Sequence, residues 1–295
     1  MANTRARTKH KARVQRTDQA LILRRFRYGE TSLLVHALTP HFGRIAVVAK
    51  GAYRLRSGYF GVLDLFDTLE LSWRASGELG TLSKARIVNR RRALSSDLGR
   101  YRAALSGLEL TGLGARDDFA EPALFAELQS FLDLLHTCTL DPELCLIAFD
   151  LAWLAQAGLS PSFENCASCG RTSRTQKRLA QAFFSHARGG LLCSSCRRHP
   201  ELGKSTPGRH RSTRQGPVEH IDALPWEVVQ SAQELAETPL SELARASAKL
   251  SLRPKHIPAL GSMVAGFLEY HLERRLKSRR QRRPGTRSGV RVPRD

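Results

Sequence analysis

Four cysteines in two Cys-x-x-Cys pairs, Cys166/Cys169 and Cys193/Cys196, carry the strongest chemical signal in the chain. Two residues between thiols let one tight turn aim both sulfurs at a single ion, and two such turns complete the tetrahedral shell that Zn²⁺ takes. The 23 residues between Cys169 and Cys193 add little difficulty, because loop-closure entropy grows slowly with length. Gly170 and the Gly189–Gly190 pair supply the backbone angles such turns need. Four thiolates leave no open position for a water, so the expected metal is a structural Zn²⁺ rather than a hydrolytic centre. A redox dithiol or an iron–sulfur cluster is the other use of this spacing. His186 and His199 are expected at the surface, outside the ligand set. Arg171, Arg174, Lys177, Arg178, Arg188, Arg197 and Arg198 crowd the segment. They either offset the doubly negative Zn(Cys)₄ centre or touch phosphates. Cys138 and Cys145, on apolar helical faces, are expected in the core.

A second constellation is "KGAYRLRSGYFG" at 50–61. Lys50, Arg54 and Arg56 supply cations for phosphates, and Tyr53, Tyr59 and Phe60 supply rings on which bases stack. That pairing is what a sequence-tolerant single-strand binder requires. Lys50, Arg54, Arg56 and Tyr53 are the candidate DNA-binding residues. The competing reading is a solvated loop whose rings fill a core. Arg24, Arg25 and Arg27 extend the basic surface if strand alternation turns them outward, and Arg90, Arg91 and Arg92 read as a solvated junction. No Walker A, G-x-G-x-x-G, G-x-S-x-G or H-E-x-x-H pattern occurs, so no catalytic residues are expected and the chain reads as a non-enzyme.

Charge sharpens this. The net charge is +20 over 295 residues, distributed in blocks: 20–92 carries +8, 93–165 carries −8 and 166–214 carries +10. So basic a chain attracts polyanions by counterion release, nucleic acid foremost. No run of 18 apolar residues is present, so neither a membrane span nor a membrane partner is expected, and the cytoplasm is the expected compartment.

The elements that must position these residues follow from hydrophobic period. Strand-length runs at 20–27, 31–38, 44–50, 62–73 and 79–88 are separated by turn signals. Five short strands in so few residues are most economically a closed OB-fold barrel, which leaves no exposed edge. The period then becomes helical over 97–115, 122–137 and 142–157, with N-caps at Asp97 and Asp141 and a C-terminal glycine at Gly158. It resumes at 225–237, 240–251 and 254–278. The fold class is therefore α+β and multidomain. A basic arm (1–19) precedes the barrel domain (20–92). The first part of a helical domain (93–164), a zinc-binding insert (165–199), a linker (200–217) and the second helical part (218–278) follow, and a disordered basic tail (279–295) ends the chain.

The stretch "ALILRRFRYGETSLLVHALTPHFGRIAVVAKGAYRLRSG" resembles the opening of the RecO family of bacterial recombination mediators. The likeness continues through "GELGTLSKARIV" and returns near the end as "FLEYHLERRLKSRR". It implies an N-terminal OB-fold, a helical domain with a zinc-binding insert, and binding and annealing of single- and double-stranded DNA. It also implies partnership with RecR and with single-strand-binding protein, so that the recombinase RecA loads, and a place on the bacterial nucleoid. Of the motif residues, Lys50, Arg54 and Arg56 match the family's DNA-binding loop. A zinc-ribbon, OB-fold RNA-binding module is the alternative the residues allow. No small-molecule substrate is implied.

Overall fold

The computed structural model describes residues 14–75, 77–172, 181–198 and 221–282. The chain forms two compact units, Met1–Ala104 with Thr111–Cys138, and Leu105–Leu110 with Thr139–Asp295.

The first unit is built on five strands: β1 (Val14–Tyr28), β2 (Ser32–Thr39), β3 (Gly43–Ala49), β4 (Thr68–Ala75) and β5 (Gly80–Asn89). They close into a barrel in the order β1-β2-β3-β5-β4, the Greek-key arrangement of an OB-fold. β1 is long enough to serve two neighbours. Its first half pairs antiparallel with β4 (Val14↔Ala75 to Leu21↔Thr68), and its second half with β2 (Leu21↔Leu38 to Tyr28↔Ser32). A register shift between Ile22 and Arg24 bends it from one neighbour to the other. Closure comes from two parallel pairs between β3 and β5, Val47↔Gly80 and Val48↔Thr81. Alternate residues point inward, so Ile22, Val35, Ala37, Val47, Leu69, Leu71, Trp73 and Leu82 share one core. At Gly80 a Cβ would stand 3.1 Å from the Trp73 ring, a tight fit, so glycine lets β5 close the barrel seam without shifting its neighbours.

Two expectations for this unit are corrected. Residues 14–19 are strand rather than arm: exposed Gln15, Thr17 and Gln19 carry no apolar signal, yet the β4 backbone pairs with them. Residues 1–13 of the expected arm lie outside the described residues. The expected strand at 62–73 starts only at Thr68. Before it the chain turns through Phe66, whose φ of 75° is left-handed and whose buried ring meets Tyr101 edge-on at 5.5 Å.

Helices α1 (Ala93–Ser96), α2 (Leu98–Gly114) and α3 (Pro122–Thr137) follow the barrel. Asp97 caps α2 as expected, accepting from Arg100 N at 2.7 Å. The Arg100 guanidinium donates to the carbonyls of Leu135, His136 and Cys138, ending α3 with a cation. The first unit continues past the expected division at residue 93 and takes in Thr111–Cys138.

The second unit holds α4 (Pro142–Gln156), β6 (Ala182–Ser185), β7 (Gly190–Leu192), α5 (Ser194–Arg198), β8 (Ile221–Leu224), α6 (Trp226–Glu237), α7 (Leu240–Ala246) and α8 (Ile257–His271). Asp141 caps α4 through Glu143 N, and Pro142 occupies its first turn. Gly158 ends it at φ 71°, with Leu159 N bonded back to Leu154 O. α4 is buried almost all round and packs on α6, α7 and α8. The helices expected at 240–251 and 254–278 are shorter. The first gives way to a 3-10 turn at Ser247–Lys249. The second ends at His271, and Glu273 then takes φ 49° before a 3-10 segment at Lys277–Arg282. That segment corrects the expected tail from 279: Arg279 is buried against Asp150 at 2.6 Å, and Glu109 accepts from Lys277 N and Ser278 N. The expected linker 200–217 lies outside the described residues.

Candidate nucleic-acid interface and metal centre

The β3–β4 connection carries "KGAYRLRSGYFG", and its backbone is a chain of tight turns. Arg54 N donates to Gly51 O, Ser57 N to Arg54 O, Phe60 N to Ser57 O and Val62 N to Tyr59 O. Gly51 and Gly61 take φ of 70° and 67°, where a β-carbon is strained. The ends are pinned to the barrel: Tyr53 N donates to Thr31 O, Tyr59 Oη to Leu82 O at 3.1 Å, and Arg90 to Gly61 O. The structure thus splits the ring set. Tyr59 packs against the barrel core and is structural, burial raising its hydroxyl pKa. Tyr53 and Phe60 are exposed, at 56% and 85%.

All three loop cations are exposed. Among the described residues no side-chain hydrogen bond or ion pair occupies Lys50, Arg54 or Arg56. Two nearby cations of β1 behave differently. Arg25 is tied to Asp64 at 2.6 Å and to Leu63 O, while Arg27 lies over the Tyr53 ring at 5.7 Å. Arg24, Arg25 and Arg27 do all face outward. A cleft of about 740 Å³ elsewhere on the barrel is lined by Arg16, Arg24, His36, Arg44 and Trp73. Two of its arginines are already matched: Arg44 grips Asp117 with two bonds of 2.6 and 2.9 Å, and Arg16 meets Asp118 at 3.2 Å. Burial, then Arg44 and Arg24, lowers the pKa of His36 there. The cleft sets acids against its arginines, whereas the loop cations meet no acid among the described residues. A groove of about 520 Å³ beside the loop, lined by Gly58, Tyr59, Lys84 and Arg86 among others, continues from it.

The expected solvated junction is corrected at Arg91. Its side chain is fully buried and donates to Asp133 at 2.7 Å, Phe66 O at 2.7 Å and Thr68 Oγ1 at 3.0 Å. An arginine run hides this, because type alone does not say which member turns inward. The loop residue that reasoning by residue type missed is Leu55, wholly exposed between two arginines. Its signal was its position: an apolar residue in a turn region with no alternation to bury it.

In the second unit the spacing brings all four cysteines together. The sulfurs of Cys166, Cys169, Cys193 and Cys196 lie within 4.8 Å of one another, Cys169 and Cys193 at 3.8 Å. Thiolates about 2.3 Å from a tetrahedral zinc stand about 3.8 Å apart, so the set fits such an ion. Backbone N–H groups point at the sulfurs: Cys193 N to Cys166 Sγ and Cys196 N to Cys193 Sγ, both 3.3 Å. Burial of Cys166 is outweighed by such donors, from Cys193, Cys169 and Ser168, and its thiol falls to about 7. Burial pushes Cys196 up to about 12. Gly170, at φ 73°, closes the first turn with its N–H on Cys166 O. β7, β6 and β8 form the sheet beneath, in that order, and so extend the expected insert to Ile221–Leu224. Arg197 lies over the Phe183 ring at 3.6 Å and Arg188 donates to Ser168 Oγ. Arg171 and Arg198 are exposed, whereas Arg174, Lys177, Arg178 and His199 lie outside the described residues. His186 corrects the surface expectation: it is buried, with Nε2 on Asp222 at 2.9 Å, and is no ligand. Cys138 and Cys145 are buried as expected. Among the described residues no helix is long and apolar enough to cross a membrane.

Residues 14–91 match the family described as recombination protein O N terminal, and 95–215 the one described as recombination protein O C terminal. A DNA repair protein RecO of Myxococcus xanthus is 32% identical over 88% of this chain and 94% of its own. Proteins of the same name from a Nocardioides species and from Streptomyces griseus are each 30% identical, over 88% and 89% of this chain and 96% of theirs.

Proposed function

The chain belongs to the RecO family, and from that premise we propose that it serves DNA repair as a non-enzymatic mediator that binds single strands, pairs them with their complements, and helps load recombinase on coated DNA. The observation that carries this reading is the β3–β4 loop, where Lys50, Arg54 and Arg56, without an ion-pair partner among the described residues, stand exposed beside the rings of Tyr53 and Phe60. Cations meet phosphates and release counterions, while rings stack on unpaired bases without reading sequence. Pairing two strands requires both backbones to be neutralised together, and the +10 of residues 166–214 is a second source of cations. Family membership supports RecR and single-strand-binding protein as partners and a nucleoid location in the cytoplasm.

The four cysteines would hold Zn²⁺ as a structural ion. Bound there, the ion would supply cross-linking of the turns at Cys166–Cys169 and Cys193–Cys196 and no reactive water. Cys166 receives a backbone N–H donor from Cys193 that favours its thiolate, so this chain's own backbone prepares the site.

Substitution of Lys50, Arg54 and Arg56 together by alanine tests the reading. The variant should melt at the wild-type temperature and anneal complementary strands at least about tenfold more slowly, since three phosphate contacts are lost. Unchanged annealing would remove the loop from the function.

A further inference from the structure

Leu55 and Phe60 are the two most exposed large hydrophobic side chains among the described residues, at 105% and 85%. The loop that shows them is not one that has failed to pack. Its turns are hydrogen-bonded in succession, its ends are pinned at Thr31, Leu82 and Gly61, and it folds Ala52 and Tyr59 onto the barrel core. The same backbone that turns those two inward holds Leu55 and Phe60 in water.

Their neighbours say what they meet. Arg54 and Arg56 flank Leu55 directly and Lys50 opens the loop, none of them engaged by an acid among the described residues. Such cations set a backbone's position without reading it. Tyr53 and Phe60 have π-faces for stacking on unpaired bases, but Leu55 has none and no polar atom for a base edge. A leucine held among phosphate-binding cations gains by entering the apolar interior of a base stack, as apolar side chains do where proteins kink duplexes.

We propose that Leu55 and Phe60 form an apolar wedge that enters a paired base step and unstacks it, giving the protein an action on duplex nucleic acid separate from its grip on single strands. This rests on the reading of the loop as a nucleic-acid interface. Unstacking opposes the energy of the step, so the wedge enters most readily where that energy is smallest, at a mismatch. An annealing protein so equipped would loosen wrongly paired steps in preference to correct ones.

The test uses the full chain and short duplexes carrying 2-aminopurine, whose fluorescence rises on unstacking, at a matched or a mismatched central step. The wild type should raise the signal, more so at the mismatch. The single variant Leu55→Ala should bind single strands within about threefold of wild type, since it keeps every cation and both exposed rings, yet lose much of the fluorescence rise. A rise of wild-type size in Leu55→Ala, or none when the wild type saturates the duplex, would overturn the wedge and leave the single-strand reading standing. Failure of the wild type to bind either form of DNA would overturn both. Equal melting temperatures establish that the variant is folded.

Discussion

Arginine plays opposite parts a few residues apart in this protein. Arg91 is sealed from water and holds Asp133, Thr68 and the carbonyl of Phe66, fixing the left-handed turn that starts β4. Breaking a buried, bonded charge is among the more damaging single changes. Arg91→Ala is expected to lower unfolding free energy by about 3 kcal/mol or more, and the exposed neighbour's Arg92→Ala by less than about 0.5 kcal/mol, as measured by denaturant titration. Arg54 and Arg56 have no partner among the described residues to lose, so their replacement should leave stability alone. Acid acts on the barrel cleft. Burial, then Arg44 and Arg24, holds His36 below its ordinary 6.5, so the unfolded chain takes up a proton there first and stability falls as pH drops below 6.5. Asp117, lowered from 3.8 by its hydrogen bond to Arg44, contributes stability above 3.8 that is lost as pH falls further. Barrel unfolding followed against pH should therefore decline on the acid side, and Asp117→Asn should flatten the lower part of that decline.

At the scale of elements, most of the architecture was legible. The period-two runs are the five strands, and the caps at Asp97, Asp141 and Gly158 sit where their residue types said. What escaped has physical reasons. The first half of β1 is polar because its partner is a backbone, not a core. Residues 62–67 have strand composition, but Arg91 and Phe66 turn them. β8 is four residues long and gains its place by pairing with β6 across a segment distant in sequence. Of the candidate site, the cysteines were legible from spacing and the loop cations from type. The different fates of Tyr59 and Phe60 depend on which way a turn faces, and this spacing alone does not encode. The metal turns lead to a prediction of their own. Chelation should abolish amide protection in β6, β7 and β8 while protection in β1–β5 persists, because the cysteine cluster lies within the second unit. All four sulfurs must lose protons to bind the ion. With Cys196 held up at about 12 by burial, affinity should rise with pH, which competition with a metal indicator checks.

For the whole molecule the central claim is a division of labour: the barrel loop grips nucleic acid, and the metal turns support the helical unit. Basic and acidic blocks alternate along the chain, so overall charge does not identify which block binds, but the salt dependence of affinity does. Each phosphate neutralised on a single strand contributes about −0.7 to the slope of log affinity against log salt. With about five contacts, affinity falls roughly 100-fold over a fourfold rise in salt. The decisive measurement is that slope for the wild type and for the Lys50/Arg54/Arg56 triple alanine on the same oligonucleotide. The slope should be shallower by about 2 in the variant, as this division of labour requires. An unchanged slope would contradict it, placing the phosphate contacts elsewhere in the chain.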